Sequence, residues 1–319
     1  MGLNDLSRAA ASGNIQEVLQ FLDVKGVDVN SACSDYGSAL GAAASWGYVE
    51  IASLLLDRGA DVNSTGGQYG SALGAAAYEG NRGIVSLLLD RGVDVNSTGV
   101  EYGSALGAAA YKGHQDIVSL LLGGGADVNN ACIDDRYGSA LGASAASGRQ
   151  DMVSLLLDRG ANVNIVGGKY GTPLVAAAYH GREHILSQLI ARGANVNAAS
   201  GSGQYGTALT AAALQGKTTV VSLLLECGAN TNIVSGYYGT ALAAASYNGH
   251  RDIMSKLLKH RGTDVNTIGG RYETALGAAF AATSTGEDKS RNTKLLLDRG
   301  ANLNLVAGMH GSLFFFFFW

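Results

Sequence analysis

The chain has 319 residues and a net charge of −4 at pH 7, and 47% of its residues are hydrophobic. Without a basic excess, neither a nucleic acid nor an anionic membrane is an expected partner, and no apolar run approaches the ~18 residues of a membrane span. The sequence opens with no signal-peptide pattern, and its three cysteines form no CxxC pair, so we expect a cytoplasmic protein, with the nucleus as the alternative compartment.

A unit of 33 to 35 residues recurs along the chain and is marked by a tyrosine that precedes a glycine in most copies. These register tyrosines are Tyr36, Tyr69, Tyr102, Tyr137, Tyr170, Tyr205, Tyr238 and Tyr272. Self-similarity at such a period indicates a stacked repeat architecture. We predict one array over residues 1–313, with units at about 1–35, 36–68, 69–101, 102–136, 137–169, 170–204, 205–237, 238–271 and 272–309, and a non-repeat tail at 314–319.

Each unit contains two predicted helices, and the first one starts at a serine or threonine. A hydroxyl side chain at a helix start accepts hydrogen bonds from backbone amides that have no partner inside the helix. The predicted N-caps are Ser38, Ser71, Ser104, Ser139, Thr172, Thr207, Thr240 and Thr274. The single proline, Pro173, follows one of them, at the first-turn position where a missing N–H costs little.

The second predicted helix carries the large aliphatic side chains. In the IVSLLL segment, Ile84, Leu87 and Leu88 are predicted to face the core, with Val85 and Leu89 flanking them. Glycines such as Gly80 and Gly92 are predicted to end the helices, because glycine adopts a left-handed backbone at little cost. One unit buries too few aliphatic groups to offset the entropy of ordering its backbone, so neighbouring units must share a core. The expected fold is an all-α solenoid.

Several segments resemble the ankyrin repeat. GTPL at 171–174, followed by Ala176 and Ala177, is similar to the family's TPL…AA signature, and GHQDIVSLLL at 113–122 is similar to its second helix. The resemblance covers residues 3–313 and implies about nine helix-turn-helix units with β-turn-like fingers and a non-catalytic protein-binding function. In this chain glycine, valine or threonine (Gly74, Gly107, Val175, Thr210) replaces the family's histidine after the leucine.

The glycine-rich fingers, of the form GGxYG, resemble the ankyrin arrays of fungal proteins that carry a NACHT-type nucleotide-binding domain. This likeness implies an alternative function, the ligand-sensing arm of an immune or self-recognition receptor, although the chain contains no GxxxxGK[ST] motif. The aromatic run at 314–319 stands where a tenth helix should start. We expect a truncated or misread coding end there, and the alternative is an apolar C-terminal lid.

Two patterns imitate catalytic or ligand-binding motifs. GSGQYG at 201–206 matches the dinucleotide pattern GxGxxG but lacks the strand that such a site requires, so we interpret it as a lengthened finger. His180 and His184 are separated by the helix breaker Gly181 and are expected to be exposed, without a third metal ligand. We therefore expect no metal, no cofactor, no small-molecule substrate and no enzyme, the enzyme being the weaker alternative.

Residues that vary between otherwise similar units are free to contact a partner, whereas the register tyrosines are expected to hold the stack. The alternative for those tyrosines is an aromatic ladder that binds a ligand. Tyrosine and tryptophan are common anchors of protein interfaces. The predicted partner-binding residues at the ends of first helices are Trp46, Tyr78, Glu79, Tyr111, Lys112, Tyr179, His180 and Tyr247, and those in the fingers are Gln68, Glu101, Arg136, Lys169 and Tyr237. We expect both sets to line a concave groove that binds a protein partner.

Overall fold

The computed structural model describes residues 5–99, 102–132, 136–199, 204–282 and 286–306. Within these ranges the chain forms eighteen α-helices and no strands, apart from isolated β-bridges such as Thr65–Ser71 and Thr98–Ser104. The helices come in pairs, as the sequence predicts. The all-α ankyrin-like arrangement is thereby confirmed, whereas the unit boundaries stay predictions and the tail at 314–319 lies outside the described residues.

The first helices of the pairs are short and rich in alanine. They are α1 Asp5–Ser12, α3 Ala39–Trp46, α5 Ala72–Glu79, α7 Ala105–Lys112, α9 Ala140–Ser147, α11 Pro173–Tyr179, α13 Ala208–Leu214, α15 Ala241–Tyr247 and α17 Ala275–Ala281. The second helices are α2 Ile15–Leu19, α4 Val49–Asp57, α6 Arg82–Asp90, α8 Gln115–Gly123, α10 Gln150–Asp158, α12 Glu183–Ala191, α14 Thr218–Glu226, α16 Arg251–Lys259 and α18 Gly286–Leu297. A π-helical turn, Gln20–Val24, continues α2, and a 3-10 turn, Leu303–Val306, follows α18.

All eight predicted N-caps are confirmed. At α7, for example, the Ser104 hydroxyl oxygen accepts the backbone N–H of Gly107 at 3.1 Å. Pro173 occupies the first turn of α11, where it removes no helical hydrogen bond. Gly80 ends α5 in the left-handed conformation at φ +87°, and Gly92 follows α6 at φ +75°.

The core-facing stripe of the second helices differs by one position from the predicted one. In α6 the buried side chains are Ile84, Val85 and Leu88, whereas Leu87 is only half-buried, so its assignment to the core face was wrong. At about 100° per residue, Val85 and Leu87 lie equally far, about 80°, from the direction midway between Ile84 and Leu88, so the helical period alone does not decide which of them is buried. The same three positions are buried in the other second helices from α4 to α16, for example Ile117, Val118 and Leu121 in α8.

The chain divides into two compact units with a boundary between Gly168 and Lys169. In the first, here the N-terminal stack, α1, α3, α5, α7 and α9 pack side by side in chain order, and α2, α4, α6 and α8 form a second layer. In the second, here the C-terminal stack, α11, α13, α15 and α17 pack in order, with α12, α14 and α16 beside one another. The first helices contact one another through fully buried alanines such as Ala76 of α5 and Ala109 of α7, whose small side chains allow the helices to approach closely.

Asparagines in the DVN segments tie successive layers together. The Asn96 side-chain oxygen accepts the Asp127 backbone N–H at 2.8 Å, and its amide nitrogen donates to the Gly125 carbonyl at 3.3 Å. Asn63 likewise accepts the Asp94 N–H at 2.7 Å. Because each asparagine satisfies loop groups of the following layer, the links between the helices are held in one register. No local sequence pattern assigned a role to these asparagines, because their partners lie about 30 residues further along the chain.

Candidate functional site

Tyrosines form a continuous series of ring contacts in the N-terminal stack. The Tyr78 ring lies between Tyr69 and Tyr102, with centroid distances of 4.8 and 4.9 Å. Tyr111 lies in the same way between Tyr102 and Tyr137, at 5.1 Å from each. The helix-end tyrosines, predicted to be free for a partner, are therefore half-buried between the register tyrosines.

The C-terminal stack repeats this arrangement. Tyr179 lies 5.3 Å from Tyr170 and 4.5 Å from Tyr205, and Tyr247 lies 5.3 Å from Tyr238 and 4.9 Å from Tyr272. We call these series in both stacks the tyrosine ladder. Each contact joins residues of the same or successive layers, so the ladder stabilises the stack whatever else it does.

The environment of three ladder tyrosines raises the pKa of their hydroxyl groups. Burial, followed by the neighbouring Tyr111, raises the pKa of Tyr137 above the ordinary value of about 10. Burial and Tyr247 raise the pKa of Tyr272 in the same direction, and burial is also the main reason why the pKa of Tyr238 is raised. At neutral pH these three tyrosines are therefore uncharged and offer ring edges and protonated hydroxyl groups.

Side chains at the ends of the first helices contact tyrosines, in two cases the register tyrosine ten residues earlier. The Trp46 indole N–H donates to the Tyr36 hydroxyl at 3.1 Å, and the Tyr69 hydroxyl donates to a Glu79 carboxylate oxygen at 2.7 Å. The Lys112 ammonium lies 4.5 Å from the centre of the Tyr78 ring. Trp46 remains 57% exposed, which makes it the most accessible aromatic side chain of this set.

His180 was predicted to be exposed, and this was wrong. Its ring is half-buried because Nε2 lies 2.9 Å from the Tyr170 hydroxyl, whereas His184 is exposed as predicted. Among the described residues no group of three His, Cys, Asp or Glu side chains could hold a metal ion. His114 instead links two layers, with Nε2 3.0 Å from the Tyr78 carbonyl oxygen.

The finger residues just before the register tyrosines form a row across the C-terminal stack. Backbone N–H groups donate to the equivalent carbonyl of the preceding layer, from Gln204 to Lys169 at 3.0 Å, from Tyr237 to Gln204 at 3.0 Å and from Arg271 to Tyr237 at 2.9 Å. We call these four residues the finger row. All four side chains are exposed, and the Arg271 guanidinium lies 5.2 Å from the centre of the Tyr237 ring.

In the N-terminal stack, the Gln68 N–H donates to the Asp35 carbonyl at 3.2 Å, and both side chains are exposed, as is that of Arg136. Glu101 lies outside the described residues, as do the first three residues of GSGQYG at 201–206. The structure also exposes apolar residues that the sequence reading overlooked beside the finger row, with Val234 at 45% and Ile268 at 59%. Their position next to glycines in a predicted surface loop was the signal available in the sequence.

This arrangement of capped helix pairs, stacked in chain order and joined by hydrogen-bonded fingers, defines the class of helical repeat proteins with finger loops. A family model described as ankyrin repeats (3 copies) matches residues 6–99, 99–167, 174–269 and 209–307. The chain belongs to the ankyrin repeat family, whose repeats generally mediate protein–protein interactions.

Among solved structures, the human ASB11 ankyrin repeat domain is 28% identical in sequence. The two superimpose with a TM-score of 0.55 over 70% of this chain and 98% of that one. None of the curated proteins matches significantly. No helix in the described ranges is long and apolar enough to cross a membrane.

Proposed function

We propose that this protein is a non-catalytic interaction scaffold, and that a protein partner binds in a concave groove lined by the fingers and by the ends of the first helices. The observation that carries the proposal is the finger row. Four exposed side chains of different chemistry, Lys169, Gln204, Tyr237 and Arg271, stand on backbone groups that are hydrogen-bonded from layer to layer. A rigid backbone with varied side chains meets the need for a preorganised, specific surface.

The chemistry of the finger row favours a partner surface that is acidic and partly apolar. Lys169 and Arg271 supply two positive charges, and Tyr237 supplies an aromatic face that is 37% exposed. Tyrosine and arginine are enriched among interface residues that contribute most of the binding energy. The exposed Val234 and Ile268 add apolar area next to these groups.

The ladder tyrosines contribute to the proposed surface through their edges, because their faces already contact one another. Replacing Tyr78 and Tyr111 with alanine would therefore reduce both stability and binding and would not separate the two. The more exposed aromatic side chains are the better probes, above all Trp46 in the N-terminal stack and Tyr237 in the C-terminal stack.

The test compares two triple variants of the whole chain. The row variant is Gln204→Ala, Tyr237→Ala, Arg271→Ala, and the control is Arg251→Ala, Asp252→Ala, Lys259→Ala on the exposed surface of α16. Both variants lower the net charge by one. We expect the row variant to lose at least about tenfold of partner capture from native extract, since truncation of an interface anchor costs about 2 kcal/mol or more.

The control variant should capture the same partner as the wild-type chain, measured by quantitative mass spectrometry. Equal loss in both variants, or full capture by the row variant, would refute the assignment of the finger row. Turnover of any substrate by the purified wild-type chain would refute the non-catalytic part of the proposal.

The sensor-arm alternative is supported only by the GGxYG pattern of the fingers. It requires a nucleotide-binding switch domain in the same polypeptide. An upstream Walker-type loop in the same reading frame of the coding locus would support it, and a coding locus without one would exclude it.

A further inference from the structure

An ion pair joins the second helices of successive layers in part of the N-terminal stack. The Arg91 guanidinium lies 3.0 Å from a carboxylate oxygen of Asp57 and donates to the Ser53 hydroxyl at 3.4 Å. Arg58 pairs with Asp23 one layer earlier. Each arginine thus reaches back to an aspartate at the C-terminal end of the preceding second helix.

Two layers later, the aspartate of this pattern is missing. LLLDRG at 54–59 becomes LLLGGG at 120–125, so Gly123 stands where Asp57 stands. The other two members are present, because Ser119 corresponds to Ser53 and Arg159 to Arg91. Within the described ranges Arg159 forms no ion pair and its side chain is exposed.

An open cleft of about 480 Å³ lies beside Gly123. Leu122, Ala126 and Val128 supply apolar walls, and the Arg159 guanidinium supplies hydrogen-bond donors. The Ser119 hydroxyl, which donates to the Gln115 carbonyl at 2.9 Å, can accept a hydrogen bond there, as Ser53 does from Arg91. A Cβ atom added at Gly123 would meet no atom within 4 Å, so this position opens directly into the cleft. The volume lies within the range of ~300–1,000 Å³ that is common for ligand sites.

One carboxylate already borders the cleft, but it does not prevent a second one from binding. The Asp127 oxygen accepts the Asn129 backbone N–H at 2.9 Å. Asp61, its equivalent, accepts the Asn63 N–H at 2.9 Å, and the Asp57–Arg91 ion pair nevertheless forms beside it. An added carboxylate at the position of Gly123 would therefore have the same three groups around it as Asp57, an arginine, a serine and an aspartate.

We propose that this cleft binds an acidic side chain of a protein partner, whose carboxylate takes the place of the missing aspartate between Ser119 and Arg159. Apolar neighbours of the acidic residue in the partner would contact Leu122, Ala126 and Val128. The site lies on the side of the second helices and does not depend on the finger row, so either assignment can fail without the other.

The probe is the capped peptide acetyl-Leu-Glu-Leu-amide, titrated into the whole isotope-labelled chain and followed by NMR. We expect saturable shifts of the Arg159 side-chain N–H and of the amides at residues 119–127, with a dissociation constant on the order of 1–10 mM for one exposed ion pair with limited apolar contact. The matched peptide acetyl-Leu-Gln-Leu-amide has the same shape without the charge and should bind at least about fivefold more weakly.

The variant Gly123→Asp supplies the missing carboxylate from the chain itself. It should fold with unchanged or higher thermal stability and should lose the response of Arg159 to the glutamate peptide. Acetate at the same concentration tests whether the charge alone suffices, and we expect a smaller response that is not saturated. Equal shifts with the glutamate and glutamine peptides, or an unchanged response in Gly123→Asp, would overturn the proposal.

Discussion

The role of a single residue in this chain depends on the layer that contains it, and glycine shows this most clearly. Gly107, the third residue of α7, faces the Tyr102 carbonyl oxygen, which would lie 2.1 Å from an added Cβ atom. Gly123, the last residue of the next helix, has open space at the same distance. Two helical glycines thus have opposite requirements.

We expect Gly107→Ala to lower the free energy of unfolding by about 1–3 kcal/mol, because the finger must move away from the helix start. Gly123→Ala should raise it by about 0.5–1 kcal/mol, because alanine favours the helix and meets no neighbour. Urea unfolding of both variants measures the difference. Equal effects of the two substitutions would show that the close approach at Tyr102 is not a constraint. Ala243 occupies the equivalent position of α15. Its N-cap, Thr240, has φ −107°, whereas Ser104 has φ −156°, and a backbone change of this kind is the adjustment that Gly107→Ala would require.

At the residue scale, the sequence predicted the features that depend on interactions between neighbouring residues in the chain. N-caps, the place of Pro173 and the helix-ending glycines follow from interactions within a few residues, and all were correct. The Asn96 bonds to the next layer and the contact between Tyr170 and His180 were missed, because neither partner is specified by a local pattern. Val85 was misplaced because six consecutive positions of the helix, 84–89, carry apolar or small side chains that fit several stripes.

At the scale of the structural element, the tyrosine ladder joins two sets of residues that the sequence reading had separated. Register tyrosines recur in eight units and were expected to hold the stack, whereas Tyr78 and Tyr111 were expected to bind a partner. Ring contacts of 4.8 to 5.1 Å make them parts of one element. Variation between units showed which positions could differ. It did not show that the tyrosines at these variable positions pack against the register tyrosine of the next unit.

The ladder has a consequence for stability at high pH. The pKa of Tyr137 is raised in the folded state, so the folded chain holds this proton more tightly than the unfolded chain does. The resulting stabilisation is complete below the unfolded pKa of about 10 and is lost as the pH rises towards the folded value. We expect the free energy of unfolding to fall as the pH rises above about 10. We also expect the tyrosinate absorbance of the native chain to appear at a higher pH than that of the denatured chain.

An ultraviolet titration of the native and the guanidinium-denatured chain measures this delay, and Tyr137→Phe should remove part of the late-titrating fraction. Superimposable native and denatured titration curves would contradict the protonated, packed ladder described here.

At the scale of the whole molecule, the repeat pattern, the family match over residues 6–307 and the paired helices agree on one class of protein. The sequence was sufficient for this conclusion because every unit restates the same pattern. The sequence was insufficient to predict the finger row, because hydrogen bonds between residues more than 30 positions apart, such as Gln204 and Tyr237, bring its members together. The absence of an aspartate at Gly123 is visible in the sequence, but only the structure places this position beside Arg159.

The central claim is that recurring residues hold the layers together while non-recurring exposed residues bind a protein. A photo-crosslinking amino acid placed at Gln204 in the finger row, and in a second variant at Thr218 on the exposed start of α14, tests this claim in the whole chain without deleting any packing group. We expect the partner captured from native extract to crosslink at Gln204 and not at Thr218. A crosslink at Thr218 alone, or equal yields at the two positions, would contradict the account.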